Sequence, residues 1–203
     1  MAESVVFVSG KAGAGKSSCC EYAVRHPEHW APDGPVRHLS VGQRFRDITD
    51  GTILSRLTEE ARYWPTRLDH ALPPSSLVHR VVVEFIKDLD RPGVTLIDGY
   101  PKEFSLLPLV YQSVEEGIMS VSGLVSVVVC DGMAVNRQIT RANAELGRED
   151  ALRRVQAYTK DTEPVLDALA HELGQQRKTI DGEQLFPTVA NEFVGVLSQL
   201  AGV

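Results

Sequence analysis

Cysteine is scarce in this chain. Of three cysteines in 203 residues, Cys19 and Cys20 are neighbours, a spacing poorly suited to a disulfide framework, and no Cys/His spacing resembles a metal site. Positive charge is not in excess either. Twenty-one Lys and Arg face 27 Asp and Glu, for a formal charge of −6, which argues against whole-protein affinity for nucleic acid or acidic membranes. A local basic cluster that binds a small anion stays possible. Long apolar runs are missing too: Val5-Val6-Phe7-Val8 is too short for a signal core or a membrane span, and Met1-Ala2-Glu3-Ser4 has no basic residue. These absences lead us to expect an untargeted cytoplasmic protein with no membrane or nucleic-acid partner. There are no repeats, low-complexity tracts or linkers, so one domain over 1–203 is expected, with a monomer as the simplest state.

What is present is an alternation. Short β-branched runs recur at Val5–Ser9, Val36–Ser40, Val94–Asp98, Leu124–Cys130 and Arg177–Asp181, and Cys130 reads as part of a buried strand. Between them lie helix-length segments with apolar residues on a helical period: Leu77, Val81, Val82, Phe85 and Ile86, then Leu152, Val155, Tyr158, Val165, Leu166 and Leu169. Strands alternating with helices imply the α/β class, here a five-stranded parallel sheet with helices on both faces. Two stretches break the rhythm. His26–Pro35 carries Trp30 and three prolines and reads as a surface loop or a partner site, and Asp50–Pro74 reads as loops or a small helical insertion.

Directly after the first strand stands Gly10-Lys11-Ala12-Gly13-Ala14-Gly15-Lys16-Ser17, which fits G-x-x-x-x-G-K-[ST]. Its glycines let successive backbone N–H groups turn inward onto phosphate oxygens, and the following helix adds its positive end. Lys16 brings a cation to the β and γ phosphates, and Ser17 is placed for magnesium. The expected triphosphate contacts are Gly10, Ala12, Gly13, Ala14, Gly15, Lys16, Ser17 and Ser18, with ATP and Mg²⁺ as cofactors. Asp98, ending the third strand, can hold the magnesium shell through water. Asp131, after the fourth, reads as a cap or turn residue. This is the P-loop NTPase fold, which says what is bound and leaves the acceptor open.

Two further strings, His38-Leu39-Ser40-Val41-Gly42-Gln43-Arg44-Phe45-Arg46 and Leu96-Ile97-Asp98-Gly99-Tyr100-Pro101-Lys102-Glu103, resemble the acceptor-site signatures of adenylate kinases and UMP-CMP kinases. Arg137 to Arg141, Gly147-Arg148 and Arg153 to Tyr158 resemble the short lid of that family, in the same order along nearly the whole chain. The resemblance implies an acceptor-binding insertion over 41–74 and a short lid over 137–150. It assigns the acceptor phosphate to Arg46 and Lys102, the latter standing where the family has arginine, and implies Val41, Leu72 and Gly99 as further acceptor contacts. Catalytic charge neutralisation falls to Lys16, Arg141, Arg148 and Arg154, and the donor base to Arg137 and Gln184.

On this resemblance the expected activity is reversible, magnesium-dependent transfer from ATP to a nucleoside monophosphate, AMP first. The polar base readers of adenylate kinases are replaced by Val41 and Leu106, and Glu103-Phe104 departs from UMP-CMP kinases. Alternatives are therefore a UMP-CMP kinase, a P-loop kinase for another small acceptor, or a nucleotide-binding protein with weak or no transfer.

Overall fold

A computed structural model describes residues 2–30, 34–62, 73–141 and 146–201. Strands β1 (Glu3–Ser9), β2 (Val36–Ser40), β3 (Val94–Asp98), β4 (Met119–Val128) and β5 (Arg177–Asp181) form one parallel sheet in the order β2-β3-β1-β4-β5. The apolar, non-alternating strands are explained by burial on both faces. On β1, Val6 and Val8 join one hydrophobic cluster while Val5 and Phe7 join another on the opposite side. The first cluster draws in α1 (Lys16–Arg25), α6 (Asp131–Arg141), α7 (Arg148–Ala157) and α9 (Phe186–Ala201); the second draws in α4 (Ser75–Lys87), α5 (Leu107–Glu115) and α8 (Glu163–Glu172). The fold is therefore the expected α/β arrangement, a parallel sheet with helices around it. Phe45, Ile48, Leu57, Ala61, Leu77 and Val81 make a separate small core that gathers α2 (Val41–Thr49), α3 (Thr58–Arg62) and the start of α4.

Register sets the site. β1 lies between β3 and β4, and the pairs Val8↔Asp98 and Ser40↔Asp98 bring the ends of β1, β2 and β3 level at one edge. That edge, at the carboxyl ends of parallel strands where the order reverses, is where such sheets bind ligands.

Several expectations need correction. β4 starts at Met119, because Ser120, Val121 and Gly123 still pair with β1, with Ser122 left over at a bulge; the Leu200 side chain packs over Gly123, where a Cβ would come 2.6 Å from it. The strand stops at Val128, and Cys130, expected to be buried, is exposed because the chain has already left the sheet to enter α6. Leu152, placed on the apolar face by periodicity, is 40% exposed, since α7 turns Ala151 and Val155 inward instead. The stretch from His26 is no simple surface loop: Trp30 is 2% exposed and donates its indole N–H to Ala23 O at 2.9 Å, which anchors the turn to α1. Between α7 and α8 the helix widens into a π turn over Tyr158–Thr162. Pro164 accounts for this, as it has no N–H to give and its ring crowds the carbonyl four residues back.

Candidate functional site

The loop that follows β1 depends on glycine. Gly10, Gly13 and Gly15 have φ of 143°, 86° and 98°, and a Cβ at Gly10 or Gly13 would come 2.3 Å from Val127 O or 2.4 Å from Ala134 O. Only the bare backbone fits between β4 and α6. Lys11 O accepts from the Ala14 N–H at 3.0 Å and from Lys16 Nζ at 3.1 Å, so one carbonyl sets both the turn and the lysine. On the outer side, Lys11 Nζ donates to Asp131 Oδ1 at 2.5 Å and Val129 O at 3.2 Å, giving Asp131 a structural task. Cys19 N–H is the first amide of α1 bonded within the helix, to Gly15 O, so the amides before it are the orphan donors of a helix start.

Ser17 Oγ donates to Asp98 Oδ2 at 2.6 Å, and Lys16 Nζ lies 4.0 Å from Asp98 Oδ1. Burial works to raise the Asp98 pKa, but His38, Lys16 and Ser17 outweigh it and hold the carboxyl below its usual value. His38 Nε2 stands 3.8 Å from Asp98 Oδ2, too far for a hydrogen bond, so its influence is that of a nearby imidazole charge or dipole. The nearby thiols are no nucleophiles: burial, with Asp98 adding to it, raises Cys19 to about 11, and Cys20 lies well above the ordinary value too.

Beyond the loop opens a cleft of about 770 Å³ lined by Ala12 to Cys19 and by Arg46, Arg137, Arg141 and Arg154. Its described lining contains no carboxylate, so it is built for a polyanion. Arg137 Nη1 donates to Gly182 O at 3.0 Å, which ties α6 to the turn after β5, where Gln184 and Phe186 complete the wall. Gly182 is packed so closely that a Cβ would meet Val127 Cγ1 at 2.7 Å. Arg148 is the one predicted arginine not on this lining; it is exposed at the start of α7.

The acceptor side is built more loosely. Arg46 is exposed on α2 and donates to Gln43 Oε1 at 2.6 Å, while Gln43 Nε2 donates to Asp47 Oδ1 at 2.7 Å, so a side-chain relay aims the guanidinium. Gly99, at φ 78°, turns the chain after β3, and its Cα hydrogen position faces Lys102, whose Cε would lie 3.5 Å from a Cβ there. Crowding by protein atoms, with Lys16 and Arg46 adding to it, holds the Lys102 ammonium below the usual lysine value, against the pull of Asp98. The residue is nonetheless exposed to solvent, so water screens much of that penalty. Thr162 Oγ1 donates to Lys102 O at 3.3 Å and Tyr158 Oη lies 3.3 Å from Ser9 Oγ, so the π turn touches both halves. Val41 is 4% exposed and packs into the second core cluster, as does Leu106. Leu72 lies outside the described residues, as do parts of the 41–74 and 137–150 segments.

Sequence reasoning missed Gln43, which has no phosphate role of its own, and the buried relay beneath the acceptor turn. In that relay His79 Nδ1 lies 2.7 Å from Tyr100 Oη, and His79 Nε2 lies 3.0 Å from Ser113 Oγ. An apolar helix carrying a single histidine was the available signal.

Among known proteins, no family model matches the chain. An adenylate kinase of Mycobacterium sp. (strain MCS) is 31% identical over 148 residues, covering 72% of this chain and 76% of that protein. A UMP-CMP kinase of Bos taurus is 25% identical over 209 residues, covering 98% of this chain and 99% of its own. An adenylate kinase of Cyanothece sp. is 24% identical over 208 residues, covering 100% and 98%.

Proposed function

Since the chain belongs to the nucleoside monophosphate kinase family, with adenylate kinases and UMP-CMP kinases as its relatives, we propose that its reaction is reversible transfer of the γ-phosphoryl group of ATP to AMP. It is a phosphotransferase acting on small nucleotides. One observation carries the finer reading: Ser17 and Lys16 lie within 4.0 Å of Asp98 and line the same cleft as Arg46, with Lys102 near enough to Lys16, Asp98 and Arg46 to feel their charges.

A hydroxyl and a carboxylate are hard oxygen donors that suit magnesium, and Ser17 and Asp98 would hold it there. When bound, the ion neutralises charge on the β and γ oxygens. The loop amides and Lys16 fix the triphosphate, while Arg46 and Lys102 hold the acceptor phosphate opposite. An oxygen of that phosphate attacks the γ phosphorus as the bond to the β–γ bridging oxygen breaks, and ADP leaves. No protein nucleophile takes part, in keeping with the raised pKa values of Cys19 and Cys20. Arg141 and Arg154 neutralise the transferring group, and Arg148 reaches it by inward movement of the 137–150 lid. Arg137 and the Gly182–Gln184 turn frame the donor base. The acceptor is assigned to the 41–74 insertion, with Val41, Leu72 and Gly99 kept as its contacts.

AMP as acceptor rests on the 31% identity to an adenylate kinase. The second reading, UMP or CMP, is favoured by the near-complete coverage of the bovine UMP-CMP kinase. A site whose nearby side chains are apolar reads a base by shape and backbone and discriminates modestly. The reading includes a cytoplasmic location and a monomer, because all the proposed groups come from one chain. Among the described residues, no helix is long and apolar enough to cross a membrane. A coupled assay with ATP and magnesium across AMP, dAMP, UMP and CMP tests it: AMP fastest is expected, and faster turnover of UMP or CMP overturns the choice of acceptor.

A further inference from the structure

Far from the phosphate loop, at the other end of α1, three metal-binding side chains meet. His26 caps the helix, with its N–H on Tyr22 O, and a single 3₁₀ turn over Pro27–His29 follows, closed by His29 N–H to His26 O at 3.2 Å and Trp30 N–H to Pro27 O at 3.0 Å. Pro27 fixes its own φ and buried Trp30 pins the end of the turn, so the backbone that presents the three side chains is held at both ends. His26 Nδ1 lies 3.3 Å from Glu28 Oε1, and His29 Nε2 lies 3.4 Å from the same oxygen. All three ligand atoms fall within 4.8 Å of one another.

These distances decide between two uses of the cluster. As charge-assisted hydrogen bonds they are long, since such bonds settle at about 2.7–2.9 Å. As edges of a coordination shell they are right: ligands about 2.0–2.1 Å from a tetrahedral zinc ion stand about 3.3 Å from each other. Two edges already have this length, and the third closes by rotation of exposed rings. Two imidazoles and one carboxylate favour zinc or a neighbouring transition ion over magnesium, which prefers an all-oxygen shell. The solvent side leaves room for a water ligand. We propose that His26, Glu28 and His29 form a surface site for a divalent transition cation, zinc foremost, separate from the magnesium position at Ser17 and Asp98.

The site adjoins the donor half of the cleft. Tyr22 packs on His26 with ring centroids 4.5 Å apart and meets Phe186 edge-on at 6.1 Å, and Phe186 lines the cleft. A bound ion fixes the His26 ring and, with it, one end of this aromatic row.

Calorimetric titration of zinc chloride into tag-free, chelator-stripped full-length chain, without nucleotide and with saturating magnesium, tests the proposal. One zinc per chain is expected. His26→Ala and His29→Ala each weaken binding at least about tenfold, and the double variant abolishes it. Cys130→Ser, which removes the exposed thiol, leaves binding unchanged. Cobalt(II) gives the strong visible absorption of a four- or five-coordinate ion in the native chain and loses it in the double variant. Failure of the native chain to bind one equivalent, native affinity in the double variant, or loss of binding with Cys130→Ser overturns the proposal. Should circular dichroism show the double variant unfolded, Glu28→Gln decides: a severalfold weaker site supports the proposal and unchanged affinity refutes it.

Discussion

The donor and acceptor halves of the cleft are built to different standards. On the donor side almost every group is fixed by another: Lys11 O sets Lys16, Asp98 receives Ser17, Gly182 O receives Arg137, and glycines stand where a Cβ would strike backbone. On the acceptor side Arg46 is aimed by Gln43, Lys102 is exposed, and Val41 and Leu106 present no polar atom from their side chains. The contrast follows from what each half has to do. Stabilising charge on a transferring phosphoryl group needs dipoles already in place, because reorganising them would add to the barrier. Holding a second nucleotide needs one good phosphate clamp and a cavity of the right shape.

If the donor side is preorganised, its disruption gives the largest effect. Lys16→Met should lower turnover by about 10²–10³-fold, read in an assay coupled to ADP formation, with thermal stability little changed. On the looser side the loss is smaller and falls on one substrate. Lys102→Met should raise the KM for the acceptor about tenfold and leave the KM for ATP near its native value, as one charge-assisted contact is lost. Lys102→Arg restores a planar fork and should lower the acceptor KM below native; an unchanged value would mean that Lys102 does not face the acceptor. Gln43→Ala, which frees Arg46 without removing it, should raise the acceptor KM about threefold, and a change confined to ATP would break the comparison.

The smallest expected effect concerns the support beneath the acceptor turn. Burial lowers the His79 pKa from its ordinary value of 6.5, with Glu116 pulling weakly the other way. The unfolded chain therefore takes up the proton first as pH falls. Stability that is full above about 6.5 declines below it, as the unfolded chain binds a proton that the folded chain holds less well. Urea denaturation at about pH 7.5 and pH 5.5 measures this slope, and His79→Phe should flatten it while costing stability at both values through the lost bonds to Tyr100 and Ser113.

How much of this was legible in the sequence varies with how local the determinant is. The phosphate loop could be read because its function lies in eight consecutive residues, and the sheet could be read because Val5 to Val8 and Val94 to Ile97 are apolar on both faces. The edges of elements were less clear. Ser120, Ser122 and Gly123 look like turn residues, yet they lie inside β4 because β1 pairs with Ser120 and Gly123, Ser4 Oγ bonds Ser122 Oγ at the bulge between them, and Leu200 fills the space over the glycine. Cys130 extends an apolar run whose sheet partner has already ended. Gln43 and His79 act through partners distant in the sequence or around a helix turn, which spacing alone does not show. His26, Glu28 and His29 escaped notice because their ligand atoms converge through a proline-started turn and match no familiar Cys/His spacing.

The central claim is that two nucleotides face each other here and the phosphoryl group passes directly between them. It is tested most directly by mixing the protein with magnesium, AMP and ATP labelled on the γ phosphate, then following the label in nucleotide and protein fractions during the first turnovers. The account predicts label in newly formed ADP and none bound to protein. Label accumulating on the protein, or release only as inorganic phosphate, would contradict it.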